Sequence, residues 1–406
     1  MASFPTVSVV TPSFNQAEFL PRTIESVLGQ DYPHVEYLIL DGGSTDGSAH
    51  IIREHRDRLA YWASEPDGGQ ADAINSGWQR SRGDILAWLN SDDTYEPGAI
   101  SAVVQAFERN AALDLVAGDC QVIDRQDRYV QDLPASELEG WSILSGNSLP
   151  QPGLFFRRSA VKSAGWLDTS LRYVFDWGLL LRLWLNGCSS YHLSRYVANF
   201  RVWGASKTAS GTVGASLSGG AQFAEERLVV LDGLVKRAPS GVYPDLQTTL
   251  TDAWRSNLLE LALLHQLGGQ PERASAYFTR YAASGAAARG ALPRPEALAA
   301  QLAYFDGDID HAIACFASDL AACLPEPPKE RQRRTWQGEL GAETCRVQGW
   351  HQVHLHDYKR ATTCFWGAIR RNPALLFQRK TVSPMLKCLA KWIAEEAMRQ
   401  TKDDRP

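Results

Sequence analysis

The sequence contains no uninterrupted apolar run of about 18 residues, so it predicts no membrane-spanning helix. Its first residues, Met1-Ala2-Ser3-Phe4-Pro5, carry neither the basic nor the apolar region of a secretory signal. These absences lead to the expectation of a cytoplasmic protein. Peripheral contact with the inner face of a membrane stays open, because such contact needs no spanning segment. Cationic excess is missing as well: 41 Lys and Arg face 46 Asp and Glu, a formal net charge of −5. Nucleic-acid binders carry a basic footprint, so no nucleic-acid partner is expected. An anionic ligand would have to be held locally, by a metal, backbone amides or a few cations. The seven cysteines are odd in number and form no CxxC pair, which excludes a disulfide framework and a structural zinc site. Free buried thiols are expected instead.

What the sequence does have is periodicity. At 406 residues it predicts more than one domain. Val7-Ser8-Val9-Val10-Thr11 is a β-branched run. Residues 17–30 then place Phe19, Leu20, Ile24, Val27 and Leu28 at helical spacing, and Asn15 with Glu18 three residues later predicts a capping-box start. Residues 35–40 predict a second strand, 59–62 a third apolar segment before a Gly-rich turn, and 84–89 a further buried strand. Strands alternating with helices predict a parallel, doubly wound sheet. In such sheets ligands bind beyond the carboxyl ends of the strands. Three polar strings fall at those ends: Thr11-Pro12-Ser13-Phe14-Asn15, Asp41-Gly42-Gly43-Ser44-Thr45-Asp46-Gly47, and Asn90-Ser91-Asp92-Asp93.

Composition changes between Gly204 and Gly220, and beyond Gln222 the chain is rich in Ala, Leu and Arg with no strand signal. The expected division is an α/β domain over 1–220 and an all-helical domain over 221–406. In the second, Ala274 and Phe278, Ala312 and Phe316, and Ala361 and Phe365 repeat an A-x-x-x-F pattern. This resembles the second helix of tetratricopeptide repeats, although the spacings are uneven rather than a constant value of about 34 residues. The plainer alternative is a helical domain without repeats. Lys329, Arg331, Arg333 and Arg334 follow Pro325-Glu326-Pro327-Pro328 and read as a solvated basic linker, with a docking patch as the second reading.

Four constellations carry chemistry. Asp92-Asp93 closes an apolar strand, where two adjacent carboxylates repel. A divalent cation of the Mg²⁺ or Mn²⁺ type, shared with substrate phosphates, would relieve that repulsion; a solvated loop pair is the simpler account. The string from Asp41 to Ser48 has glycines that allow close backbone approach and a following helix whose amides face an anion; a tight turn with a helix cap explains part of it. Residues 64–77 run from a turn into a helix that carries Asp72 and Asn75 on one face, otherwise a surface pair. Phe175-Asp176-Trp177 opens an apolar helix with a carboxylate between aromatics, and a simple N-cap is the alternative.

In this order the motifs Thr11-Pro12-Ser13-Phe14-Asn15, Asp41 to Gly47, Asn90-Ser91-Asp92-Asp93 and Phe175-Asp176-Trp177 resemble the family-2 glycosyltransferases of GT-A fold, over residues 5–210. The resemblance implies a Rossmann-like, mostly parallel sheet flanked by helices, and a nucleotide-diphosphate sugar as donor. It implies that Thr11, Pro12 and Asp41 line the nucleoside pocket, that Asn15 is among the donor-binding residues, and that Asp72 and Asn75 flank the donor. Asp92 and Asp93 match the acidic metal motif, and Asp176 falls where the family carries its catalytic base. Gln151-Pro152-Gly153 matches the segment facing sugar and acceptor. The stretch from Phe200 to Thr208 matches a tail closing over the diphosphate, with Lys207 as its cation. The implied activity is inverting sugar transfer to a glycan, lipid-linked or protein hydroxyl, in glycan or polysaccharide assembly. The chain departs from the pattern at Asn90, Phe175, Gly178 and Trp203, where relatives often carry acids or, at the last, a His.

Two readings compete. A nucleotidyltransferase would carry a Gly-rich, basic loop after the first strand, which residues 11–15 lack. A weakened transferase domain acting with the helical repeats as a scaffold would retain protein binding or self-association through the second half and lose turnover.

Overall fold

β-Branched side chains make β1 (Val7–Ser13) a strand buried along its whole length, and that strand organises the first half of the molecule. The computed structural model describes residues 4–139, 143–144, 149–203, 217–237, 245–284, 298–299, 302, 309–324, 330–354, 358–372, 375, 385, 387–388 and 391. The chain divides into two compact units, Met1–Ala209 and Ser210–Pro406.

In the first unit β1 pairs in parallel with β2 (Val35–Asp41) on one side and β4 (Ile85–Trp88) on the other, and β3 (Tyr61–Ser64) extends the sheet beyond β2. Beyond β4 the sheet becomes mixed. β8 (Leu154–Arg157) is antiparallel to β4, and β6 (Leu115–Ile123) is antiparallel to β8. Two reversals return β6 to the direction of β4. β9 (Ser190–Arg201) then runs parallel to β6, and the short β5 (Thr94–Tyr95) closes that side. β7 (Tyr129–Leu133) pairs with the far end of β6. The strand order is β3-β2-β1-β4-β8-β6-β9-β5. The carboxyl ends of β1, β2, β4, β6 and β9 therefore lie along one edge. The expected parallel arrangement holds from β3 to β4, and antiparallel strands make up much of the rest.

Helices cover both faces. α1 (Leu20–Leu28) and α4 (Ala99–Arg109) bury Ile24, Val27, Ile100 and Val103 against Val7, Val9, Ile39 and Ala87. Each such aliphatic side chain stabilises the fold by roughly 1.5–3 kcal/mol. On the opposite face α3 (Gln70–Arg80) packs Trp78 edge-on to Trp88, ring centroids 5.3 Å apart, and Trp88 stacks on Phe156. Gly77 lets α3 approach β1: a Cβ there would lie 2.7 Å from the Val10 methyls. α2 (Ser48–Glu54), α5 (Arg158–Ala164) and α6 (Phe175–Leu185) complete the unit. The expected capping box at α1 is not formed. The N-cap residue is Phe19 and makes no side-chain cap bond, because Asn15 and Glu18 are engaged elsewhere, with Thr45 and Arg125.

The second unit is helical throughout its described residues. α7 (Leu217–Arg237), α8 (Leu246–Leu267), α9 (Pro271–Ala283), α10 (Ile309–Cys323), α11 (Glu330–His354) and α12 (Tyr358–Arg371) follow in order, and each packs against the next. The A-x-x-x-F positions fall on α9, α10 and α12, with Phe278, Phe316 and Phe365 buried. Phe278 and Phe316 meet at 5.2 Å between ring centroids. Of the basic stretch read as a linker, Arg331, Arg333 and Arg334 belong instead to the start of α11, and Lys329 lies outside the described residues. Glu330 lies three and four residues before Arg333 and Arg334 and pairs with both on one helix face. No helix among the described residues is long and apolar enough to cross a membrane.

Candidate active site

The loops after β1 and β2 are sewn together by short polar side chains. Asn15, in the left-handed region at φ 53°, accepts the Thr45 amide at 2.9 Å on Oδ1 and donates its own amide to Ser44 Oγ. The Gln16 amide donates to Ser48 Oγ, and the Ala17 amide to Asp46. Asp46 also takes the Ser48 amide, so that amide at the start of α2 is already satisfied within the chain. Asp41 is buried and accepts three bonds, from the Ser44 amide at 2.9 Å, Ser44 Oγ at 2.5 Å and Ser64 Oγ at 2.7 Å. Thr11 is fully buried and shares a 3.0 Å hydrogen bond with the Tyr37 hydroxyl. Pro12 is buried beside Leu40 in the strand register. Thr11 and Asp41 thus shape this edge from beneath rather than projecting from it.

The turn between β3 and α3 adds a carboxylate that sequence reasoning passed over. Asp67 lies against Gly42, where an added Cβ would sit 3.2 Å from both carboxylate oxygens. Burial raises its pKa above the ordinary range, opposed by the Gly69 amide and reinforced by Asp72 and Asp41. The signal lay in Asp67-Gly68-Gly69, which repeats the pattern of Asp41-Gly42-Gly43. Asp72 accepts the Gly68 amide and fastens the turn to α3. Asn75 is committed elsewhere: its Nδ2 donates to Leu167 O at 2.9 Å and its Oδ1 accepts Leu167 N at 3.0 Å. Both halves of its amide serve that backbone tie.

The acidic turn after β4 is held from every side. Asp93 is 1% exposed. Its carboxylate accepts the Arg201 amide at 2.8 Å and Asn90 Nδ2 at 3.1 Å. Thr23 Oγ1 donates to the carbonyls of Ser91 and Asp93. Burial, then the charge of Asp92, pushes the Asp93 carboxyl well above the usual range. Asp92 is partly exposed. Burial also raises its pKa, and the Trp203 indole N–H, donating to Oδ2 at 3.0 Å, opposes that shift. Arg201, buried at the end of β9, donates Nε to Asp92 O and a terminal nitrogen to Asp124 O, and pairs with Asp127. Sequence reasoning named the stretch containing Arg201 but not this role, since a lone Arg in a strand carries no signal of its burial.

Asn90 is the hub of a hydrogen-bond network. Its Oδ1 accepts Gln70 Nε2 at 2.7 Å, and its Nδ2 donates to Asp93 and, at 2.8 Å, to Gln151 Oε1. Gln151 in turn donates to Trp88 O. Gln151 sits in a turn seated on β6, where a Cβ at Gly153 would meet Gly118 O at 2.3 Å. As an amide Asn90 both accepts and donates here, whereas an ionised carboxylate would have no N–H for Asp93 or Gln151.

Asp176 lies in the first turn of α6. It is half-buried and accepts the Trp177 amide at 2.8 Å; Val174, not Asp176, is the N-cap. Phe175 lies against Trp88, with centroids 6.4 Å apart, which sets the start of α6 beside the end of β4. Trp177 is buried and donates its indole N–H to Ile143 O. Lys207 lies outside the described residues.

The structure therefore brings Thr11, Pro12, Asn15, Asp41, Asp72, Asp92, Asp93 and Gln151 to one sheet edge, with Asp176 beside it. Among the described residues no group of three His, Cys, Asp or Glu side chains stands ready to hold a metal. In open α/β sheets, ligands bind at such a carboxyl edge. The glycosyl transferase family 2 profile matches residues 8–158. The chain is 34% identical over 186 residues to the uncharacterized glycosyltransferase Rv1514c of Mycobacterium tuberculosis, an overlap of 45% of this chain and 70% of that one. It is 27% identical over 220 residues to the uncharacterized glycosyltransferase alr2836 of Nostoc sp., covering 49% and 65% respectively. Among solved structures it is similar to S. aureus TarS 1-349 in complex with UDP-GlcNAc, with a TM-score of 0.49, 15% identity and coverage of 91% and 92%. The chain belongs to glycosyl transferase family 2, with the GT-A fold in its first half and a helical region after it.

Proposed function

We propose that the chain transfers a sugar from a nucleoside-diphosphate donor to an acceptor hydroxyl, inverting the anomeric configuration. The observation that carries this reading is the convergence of the loops after β1, β2 and β4 with the start of α6. The loops after β1 and β2 offer a floor for the nucleoside, built on Thr11, Pro12, Asn15 and Asp41 and rimmed by Asp67 and Asp72. Asp176 removes the acceptor proton while the acceptor oxygen attacks the anomeric carbon. The new C–O bond forms on one face as the bond to phosphate breaks on the other, and the nucleoside diphosphate leaves with the electron pair. A single carboxylate base suffices; a covalent intermediate would need a second nucleophile.

The acidic turn fits a divalent cation through one carboxylate. Asp92 is partly exposed and has one oxygen engaged by Trp203, whereas both Asp93 oxygens are engaged internally. One carboxylate completed by water and phosphate oxygens is how Mg²⁺ and Mn²⁺ are often held. Such a cation, with Lys207, would neutralise charge developing on the leaving diphosphate. Asp92 is then the ligand and Asp93 its buried support.

We assign the transferase to residues 1–220. Residues 221–406 form a module of tetratricopeptide-like helix pairs that recruits a glycan, lipid-linked or protein acceptor, or a second copy of the chain. The test is nucleoside-diphosphate release from a panel of nucleotide sugars, with and without Mn²⁺, in the wild type and Asp176→Asn. Cation-dependent release from one donor, lost in the variant, supports the reading. Donor binding with wild-type release unchanged in Asp176→Asn removes the assigned base. Neither binding nor release leaves the scaffold reading.

A further inference from the structure

Trp203 lies just beyond the end of β9, and its side chain is held from several directions. Its indole N–H donates to Asp92 Oδ2 at 3.0 Å. One side of the ring meets Phe19, centroids 5.0 Å apart. The Arg125 guanidinium lies 6.0 Å from the ring centroid. Arg125 is itself fixed by a two-pronged pair with Glu18, at 2.7 and 2.6 Å. A rigid indole clamped in this way gives its N–H one direction. The backbone of Asp92 is fixed separately by Arg201 Nε, so the indole bond is what selects the carboxylate's rotation.

We propose that Trp203 is a positioning residue for cation binding: it ties Asp92 Oδ2 to the protein and turns the other oxygen toward a divalent cation of the Mg²⁺ or Mn²⁺ class. The inference rests on the reading of Asp92 as the cation's ligand. An indole nitrogen has no lone pair available to a metal, so Trp203 acts on the ligand and not on the cation. Groups that orient a metal ligand typically change metal affinity by about 10–100-fold when removed.

The experiment titrates full-length protein with Mn²⁺ alone and reads free Mn²⁺ by electron paramagnetic resonance. Wild type, Trp203→Phe and Asp92→Asn are compared. Trp203→Phe keeps a ring beside Phe19 and loses only the N–H donor. It should weaken Mn²⁺ binding about tenfold, with Asp92→Asn weaker still. A second measurement does not depend on the folding of Trp203→Phe. In protein labelled with ¹⁵N at tryptophan, the indole resonance that moves most in Asp92→Asn should also be the first one broadened by Mn²⁺. Asp92-dependent Mn²⁺ binding that is unchanged in folded Trp203→Phe overturns the Trp203 role alone. The same holds if no indole resonance both responds to Asp92→Asn and broadens early. Wild-type binding no tighter than that of Asp92→Asn overturns the assignment of Asp92 as ligand, and the Trp203 role with it.

Discussion

The two units bury different things. At the carboxyl edge of the first, Asp41, Asp93 and Arg201 are all buried, and each is tied to backbone or side-chain partners from distant parts of the chain. In the second, the interior is mostly Leu, Ala and the phenylalanines 278, 316 and 365, one helix against the next, with Asn257, His265 and Glu343 among the few buried polar groups. Polar groups inside a protein demand fixed partners, because an unpartnered one costs about 1–3 kcal/mol. Apolar contacts demand only volume. The geometry of the first unit's edge therefore depends on polar ties, whereas the second unit's interior depends mainly on filled volume.

The largest effect that tests this contrast is chemical. Asp176→Asn should lower donor turnover about 10²–10⁴-fold with little change in unfolding, since Asp176 is partly exposed at a helix start. Comparison of kcat with a urea transition would check both halves of that statement.

Next come two substitutions of similar energetic size and opposite consequence. Arg201→Leu removes the cation that holds Asp92, Asp124 and Asp127, and should cost roughly 3–5 kcal/mol together with turnover. Phe316→Ala opens a cavity between α9, α10 and α11, and should also cost roughly 3–5 kcal/mol. Its loss should appear in the helical unit's unfolding transition, with turnover on a soluble donor retained. Equal loss of turnover in both would break the comparison.

A smaller effect is expected at Asn90. Asn90→Asp removes the donor to Asp93 and Gln151 and adds charge beside a buried carboxylate. We expect a loss of about 1–3 kcal/mol by chemical denaturation, not a gain in cation affinity.

The smallest effect concerns a thiol. Burial pushes Cys188 up to about 12, against about 8.5 for a free thiol. Its folded pKa is raised, so the folded state disfavours the thiolate. The corresponding stability is intact below the unfolded value and declines as pH rises toward about 12. Alkylation at Cys188, read by mass spectrometry, should be slow at neutral pH and should accelerate through the alkaline range.

Much of the first unit was legible along the chain. Runs such as residues 7–11 and 35–40 announce strands because β-branched and apolar side chains recur locally, and the polar strings at their ends mark the ligand edge. The second unit's helices were legible for the same reason. Partnerships across long separations were not. Nothing near Asn75 in sequence announces Leu167, and nothing near Asp92 announces Trp203. Asn15 and Glu18 had the spacing of a cap, yet Thr45 and Arg125 offered better partners. Residues 331–334 looked like a linker because their helix depends on Glu330 pairing and on packing, not on composition.

The sequence by itself determined the family, the alternation of strand and helix, the helical second half and the set of acids available for catalysis. These depend on local side-chain pattern, which a linear chain displays. The tertiary structure decided which acids are buried supports and which face outward, separating Asp93 from Asp92. It also tied Asn75 to Leu167, buried Arg201 under the acidic turn and set Trp203 on Asp92. Those outcomes depend on burial and on hydrogen-bond direction, and neither exists until distant segments meet.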